Sequence, residues 1–311
     1  GTLAQLDLDR LDCVEINPNA KAVGRFFATE NHEVVANPRL NLFIEDGRNF
    51  LATTSRKYDI ITADATHPTG ADSWILFTKE YYELCRQHLR ESGFFVQWLP
   101  LHALSENYYQ TILATASEVF DDLSVWFTGL DLPIGHTLMI GTLKPLSVVI
   151  QQLQTKMQLP AVRRDLSQVG IVSPESLLSH FMTNKKNLHT ALKNRAINTD
   201  DRAITAFPDD LPAPGRWAKN LALLAGVKAN PVIINAPADA VSKVERLNRV
   251  SGWLVNAMLN SAVGDSRRAR EWTERIKTQG VRIEDLSAAF TSSAEQFDGL
   301  SYLKTGGKTS R

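Results

Sequence analysis

Three carboxylates stand out as residues that could do chemistry: Glu15, Asp46 and Asp64, each placed where a short apolar run ends. A carboxylate offers two oxygens and can accept two O–H donors at once, so Glu15 suits a vicinal diol such as a ribose. Asp46 is followed by Gly47 and a short helical pattern, where an acid can accept from an amino group or simply cap the helix. Asp64 opens the stretch ITADATHPTG, in which Thr66, Pro68 and Gly70 favour turns. A carboxylate at such a mouth, half out of water, is placed to accept a proton. His67 follows three residues later, and Trp74 lies beyond it. Each residue also has a plainer reading. Glu15 reads equally as a solvated loop acid, Asp64 as bonded to its own loop, His67 as a loop histidine and Trp74 as packing. The seven histidines show no ligand spacing, so no metal is expected.

These residues need a scaffold that brings them to one place. LDCVEI (Leu11 to Ile16), LNLFIED (Leu40 to Asp46), YDIITADA (Tyr58 to Ala65) and GFFVQWL read as strands. Between them NPNAKAVGRFFATEN, GRNFLATTS and TKEYYELCRQHLR read as helices, with Pro18 in a first turn and Thr78 as a cap; SENYYQTILATASEVF follows, capped by Ser105. LSVWFTG and HTLMIGTL form a further pair, close enough in sequence to be antiparallel. Strand–helix alternation predicts an α/β fold whose mostly parallel sheet is covered on both faces. Ligands of such sheets bind beyond the carboxyl ends of the strands, where all three acids fall.

After about Pro145 the pattern turns helical, with no further convincing strand. INTDDRAITAFPDDLPAPG is a turn-rich connector. SGWLVNAMLNSAVGDSRRAREWTERI resembles one tetratricopeptide-type hairpin, and the KTGGKTSR tail is expected to be disordered. The aromatic pairs Phe26-Phe27, Tyr81-Tyr82, Phe94-Phe95 and Tyr108-Tyr109 are expected in the core. The basic cluster Arg267, Arg268 and Arg270 is expected on a solvated helix face.

Apolar residues make up 43% of the 311 and charged residues 22%, an ordinary globular balance, and the formal net charge is zero. Nothing in that charge argues for a nucleic-acid or anionic-membrane partner. Cys13 and Cys85 lie in apolar patterns and are expected as buried hydrophobes in a reducing compartment. No apolar run approaches the ~20 residues that span a bilayer, and no signal peptide is expected.

The segments LDCVEINPNAKAVGRFF, NPRLNLFIEDGRNFL, YDIITADATHP and LFTKEYYELCRQHLRESGFFVQWLPLH resemble the spermidine synthase family of polyamine aminopropyltransferases. They are most similar to a bacterial branch often fused to membrane transporter-like segments, which also has a segment similar to NTDDRAITAF. The resemblance implies a methyltransferase-type Rossmann fold and decarboxylated S-adenosylmethionine as co-substrate. It implies a putrescine-like amine as acceptor, with Glu15 on the ribose, Asp46 and Gly47 on the adenine, and Asp64 as the base. His67 and Trp74 would face the amine. It further implies a cytoplasmic setting, a homodimer as a common form, and a membrane segment upstream in a longer, tethered protein. The domains expected are 1–145 (aminopropyltransferase), 146–235 (helical extension and connector) and 236–311 (helical hairpin and tail). The first strand and Gly-rich loop are expected upstream of Gly1. His67 stands where the family usually has a second acid, and Leu132 where it often has a tyrosine. Two alternatives stand beside this reading: an S-adenosylmethionine-dependent methyltransferase on the same fold, against which the Asp64 loop and LFTKEYYELC speak, and a non-catalytic module that senses a nucleoside or polyamine, which His67 and Leu132 favour.

Overall fold

The computed structural model describes residues 1–64, 68, 73–131, 134–207, 215–281, 285–297 and 300. Along the chain, β1 (Leu11–Glu15), α1 (Ala20–Phe26), β2 (Leu40–Ile44), α2 (Gly47–Thr53), β3 (Tyr58–Ala63), α3 (Lys79–His88), β4 (Leu89–Pro100) and α4 (Glu106–Val119) alternate in the expected way. The antiparallel hairpin is β5 (Asp122–Asp131) and β6 (Ile134–Thr142). Then come β7 (Val148–Val149), α5 (Ile150–Met157), α6 (Pro160–Gln168), α7 (Pro174–Leu178), β8 (Phe181–Asn184), α8 (Lys185–Ala191), α9 (Arg216–Gly226), β9 (Ile233–Ile234), α10 (Ala238–Ala262), α11 (Ser266–Thr278) and α12 (Ala288–Glu295). A 3-10 turn, Trp74–Phe77, precedes α3.

β1 and β2 pair in parallel, with Leu11 opposite Leu40 and Glu15 opposite Ile44. A second sheet has the order β3-β4-β6-β5-β8, with β3 and β4 parallel and the remaining pairs antiparallel. The protein is thus a Rossmann-like α/β fold followed by a largely helical region. Period-2 alternation explains β4: Phe95, Gln97 and Leu99 are fully buried, while Phe94, Val96 and Trp98 are only partly covered. The buried side meets α3, where Tyr81 and Tyr82 pack on Phe95, and α4, enclosed nearly all round from Tyr108 to Ala116, packs beside α3 and on β5 and β6. Gly141 allows this packing, because a Cβ there would sit 2.5 Å from the Phe120 ring. At Gly129 (φ +124°) a β-bulge breaks the β5–β6 register, a backbone conformation that favours glycine.

Thr78 and Ser105 cap α3 and α4 as expected; their side-chain oxygens accept from Tyr81 N and Tyr108 N. The hairpin of α10 and α11 is also present, with Asp265 capping the second helix. α10 has 25 residues but carries Asp239, Lys243, Glu245, Arg246 and Arg249. No helix among the described residues is long and apolar enough to cross a membrane.

Several expectations are corrected. Strands do occur beyond Pro145, since β7 pairs with β9 and β8 extends the main sheet along β5. They are two to four residues long, too short for period-2 alternation to mark them. Pro18 precedes α1, which starts at Ala20 after the N-cap Asn19. Cys13 is exposed, while Cys85 is buried as expected. Phe26 and Phe27 pack edge to face on each other at the surface, Phe26 with 82% of its area open. Tyr81, Tyr82, Phe95, Tyr108 and Tyr109 do enter the core. The tail from Ser301, His67, Leu132 and Pro133 lie outside the described residues.

Candidate functional site

Contacts at both ends tie the two sheets together and fix their relative direction. At the amino end of the strands, the Tyr58 hydroxyl of β3 donates to Asp12 Oδ2 of β1 at 2.9 Å, and Arg56 reaches the same oxygen at 3.4 Å. At the carboxyl end, Arg48 of α2 donates to the Ile75 carbonyl of the 3-10 turn that follows β3. β1, β2 and β3 therefore point the same way, and Glu15, Asp46 and Asp64 stand at their carboxyl ends.

The three acids differ in how far they are engaged. Glu15 Oε1 accepts from Asn17 N at 2.9 Å, which fixes the carboxylate over its own loop. Asp46 is the N-cap of α2, with Oδ1 accepting from Asn49 N at 2.8 Å. The plain capping reading of Asp46 is thus realised. The second oxygens, Glu15 Oε2 and Asp46 Oδ2, have no partner among the described residues, so a hydroxyl or amino donor has somewhere to bind. Asp64 is exposed and makes no hydrogen bond or ion pair with a described residue. Gly47 is the first residue of α2, and a Cβ there would meet nothing within 4 Å, so the helix start is open to an approaching planar group. Its backbone is helical, so no turn conformation requires glycine here.

Trp74 starts the 3-10 turn beyond Asp64 and is partly buried. This turn is held from below by Gln97, fully buried on β4, whose Nε2 donates to the Leu76 carbonyl at 3.0 Å while its Oε1 accepts from the Tyr82 hydroxyl at 2.7 Å. Trp98, next on β4, follows the position paired with Ala63 and so lies beside Asp64. Its ring meets His136 at 5.0 Å, and His136 meets His102 edge to face at 5.4 Å.

Sequence reasoning passed over Arg48, Gln97 and Asp200. Arg48 had a legible signal: a cation in the first turn of a helix opposes the dipole and needs an acid nearby. That acid is Asp200, bound by both guanidinium nitrogens; Nη1 to Oδ1 is 2.8 Å. The hydrogen bond from Arg48 pulls the Asp200 carboxyl below its ordinary range, and the same bond raises Arg48. No sequence signal joins residues 152 positions apart. Among the described residues no cluster of three or more histidine, cysteine or acidic side chains could hold a metal.

A parallel-strand rim bearing acids at its strand ends is the ligand side of an α/β nucleotide-binding fold. Residues 2–143 match the family model described as the spermine/spermidine synthase domain. The polyamine aminopropyltransferase of Buchnera aphidicola is 36% identical over 107 residues, covering 34% of this chain and 36% of that protein. Polyamine aminopropyltransferase 1 of Pseudomonas aeruginosa is 38% identical over 91 residues (29% and 31%). That of Pseudomonas syringae pv. tomato is 28% identical over 199 residues (62% and 66%). The chain thus spans about a third of the length of the first two. Among solved structures it is similar to spermidine synthase from Thermotoga maritima, at 15% identity and a TM-score of 0.42, covering 70% of this chain and 62% of that one. A probable spermidine synthase from Corynebacterium glutamicum gives 17% and 0.41, covering 61% and 63%.

Proposed function

We propose that the protein transfers an aminopropyl group from decarboxylated S-adenosylmethionine to a putrescine-like amine. The supporting observation is the family match over residues 2–143 together with three acids at the carboxyl ends of consecutive strands. Glu15 would accept from the ribose hydroxyls, and Asp46 with the open N-terminus of α2 at Gly47 would take the adenine. Trp74 would wall the amine side, with His67 on the intervening segment.

An alkylammonium with a pKa near ~10 has no lone pair at neutral pH, so a base must take its proton before or during attack. Asp64 is exposed and uncommitted among the described residues, which suits that work. The amine nitrogen then forms a bond to the carbon beside the sulfonium, the carbon–sulfur bond breaks toward sulfur, and methylthioadenosine leaves. The proton stays on the Asp64 carboxylate until solvent removes it. The sulfonium supplies its own leaving group, so no metal is needed. The protein's share of the acceleration is in-line orientation of nitrogen and carbon.

Asp64→Asn is expected to lower the rate of methylthioadenosine release by ~10²–10⁴-fold while methylthioadenosine binding stays within about threefold. Single-turnover release and equilibrium binding measure the two. Turnover equal to the parent protein would remove Asp64 from this role. No aminopropyl transfer by the parent, with nucleoside binding intact, would favour the sensing module that His67 in place of the family's second acid suggests.

A further inference from the structure

The connector that follows α8 lies outside the residues matched to the family domain, yet it is bound into the rim. Asn198 is fully buried and fully used. Its Nδ2 donates to the Phe77 carbonyl at 3.0 Å and to Thr205 Oγ1 at 3.1 Å, and its Oδ1 accepts from Thr205 N at 3.3 Å. Its own N–H donates to Thr115 Oγ1 at 2.9 Å, and its carbonyl accepts from Lys79 N, one of the free N–H groups at the start of α3. Just beyond, Thr199 and Arg202 exchange backbone hydrogen bonds in both directions, closing a tight turn with Asp200 and Asp201 at its tip. Asp200 N donates to Glu80 Oε2 at 3.0 Å.

Asp200 then grips Arg48 with both carboxylate oxygens. The guanidinium has work on the other side as well. Nη1 reaches the Ile75 carbonyl at 3.3 Å and Thr78 Oγ1 at 3.4 Å. One buried-edge cation, 15% exposed, therefore joins three elements: the helix that starts at Asp46 and Gly47, the 3-10 turn that starts at Trp74, and the connector. A planar bidentate pair fixes angle as well as distance, which a lysine or a single hydrogen bond would not do.

We propose that the Thr199–Arg202 turn is a positioning device for the two-substrate reaction, with Asp200 holding Arg48 so that the amine-side turn carrying Trp74 keeps its separation from the nucleoside-side helix α2. This rests on the reading of the rim given under the proposed function. α2 is anchored independently by β2, where Phe50 packs on Phe43, and by its Asp46 cap, whereas in the Trp74 turn Gln97 holds the Leu76 carbonyl, Asn198 the Phe77 carbonyl, and Arg48 with Thr78 the Ile75 carbonyl, so that Arg48 is the contact that ties the turn to α2. Loss of Asp200 therefore loosens the amine side and spares the nucleoside side.

The test compares Asp200→Asn and Arg48→Met with Asp121→Asn. The last breaks another bidentate pair, Arg86 to Asp121 at 2.9 and 3.1 Å, placed away from the rim. In Asp200→Asn and Arg48→Met, kcat/KM for the amine is expected to fall by ~10-fold, with methylthioadenosine affinity within about threefold of the parent. Amide hydrogen exchange over Ile75–Lys79 is expected to quicken. The double variant is expected to lose no more than either single one, because both remove the same contact. Asp121→Asn is expected to change none of these readings. Unchanged kcat/KM and unchanged exchange in Asp200→Asn would overturn the proposal, as would additive losses in the double variant. If the parent transfers no aminopropyl group, the functional reading fails, and the positioning proposal is then decided by the exchange result alone, where unchanged rates over Ile75–Lys79 overturn it.

Discussion

Residues 1–57 and the five-stranded sheet with its helices are built on different principles. In the first region α1 has no buried residue, and every residue of β1 and β2 keeps some exposure. Ile16, Val23, Phe26, Phe27 and Ile44 stand exposed, and Leu51 is the region's one contribution to the main core among the described residues. Polar stitches hold it instead. Asp12, whose side chain is 3% exposed, accepts from Arg10, Asn41, Arg56 and Tyr58, and Arg39 donates to the Leu8 carbonyl. In the second region Tyr82, Phe95, Phe120, Ile112 and Leu113 are all but dry, with the Phe95 and Phe120 rings stacked at 5.4 Å.

The difference is one of magnitude. A net hydrogen bond contributes about 1 kcal/mol, while a fully buried large side chain contributes ~1.5–3 kcal/mol by area alone. Cooperativity therefore resides in the second region, and the first is the part that opens locally. Two of the proposed nucleoside contacts, Glu15 and Asp46, sit on the lightly held side, and Asp64 on the rigid one. The Arg48–Asp200 pair crosses between them.

Three measurements would break or sharpen this contrast. The largest effect is expected from Phe95→Ala, which should cost ~3–5 kcal/mol, against within about 0.5 kcal/mol for Phe26→Ala, in denaturant unfolding at constant slope. Comparable costs would erase the contrast.

Next comes Lys228, whose Cδ and Cε lie against Gly252 of α10 and whose ammonium donates to the Phe181 carbonyl at 2.7 Å. Burial pulls its pKa down to about 7. Between that value and the ordinary lysine range the unfolded chain binds the extra proton, so stability should rise with pH across that window. Part of the side chain remains accessible, so the gain is expected to be on the order of 2 kcal/mol rather than the full linkage value. Lys228→Met should flatten the curve of unfolding free energy between pH 7 and 10, and an unchanged slope would clear Lys228.

The smallest effect belongs to Asp200. Its carboxyl is depressed by Arg48, so its contribution is complete above the ordinary carboxylate range and is lost as pH falls through the lower folded value. With a side chain 36% exposed the pair is screened, and less than about 1 kcal/mol should separate parent from Asp200→Asn at pH 7, converging as pH drops below ~4. A gap that persists at low pH would mean the variant acts through shape, not charge.

Much of the rim was readable because it rests on local rules. Strand periodicity placed Glu15, Asp46 and Asp64 at strand ends, and the Thr78 and Ser105 caps follow from chemistry within three residues. What was misread shares a cause. Phe26-Phe27 obeyed helical spacing, but spacing says which side a residue faces and nothing about whether that side is covered. The short strands β7, β8 and β9 formed where a partner edge was available, and two to four residues are too few for a strand period to show in the sequence.

By itself the sequence determined the alternation of strands and helices, the acids at the strand ends and the family that those segments resemble. All of these depend on side-chain periodicity and on hydrogen bonds spanning a few residues. Only the tertiary structure decided that Asp200 would meet Arg48, that Asn198 would be sealed beneath the Trp74 turn, and that Lys228 would lose its water. Each of those is a long-range encounter whose balance of desolvation cost against hydrogen bonding is set by the assembled surface rather than by any stretch of chain.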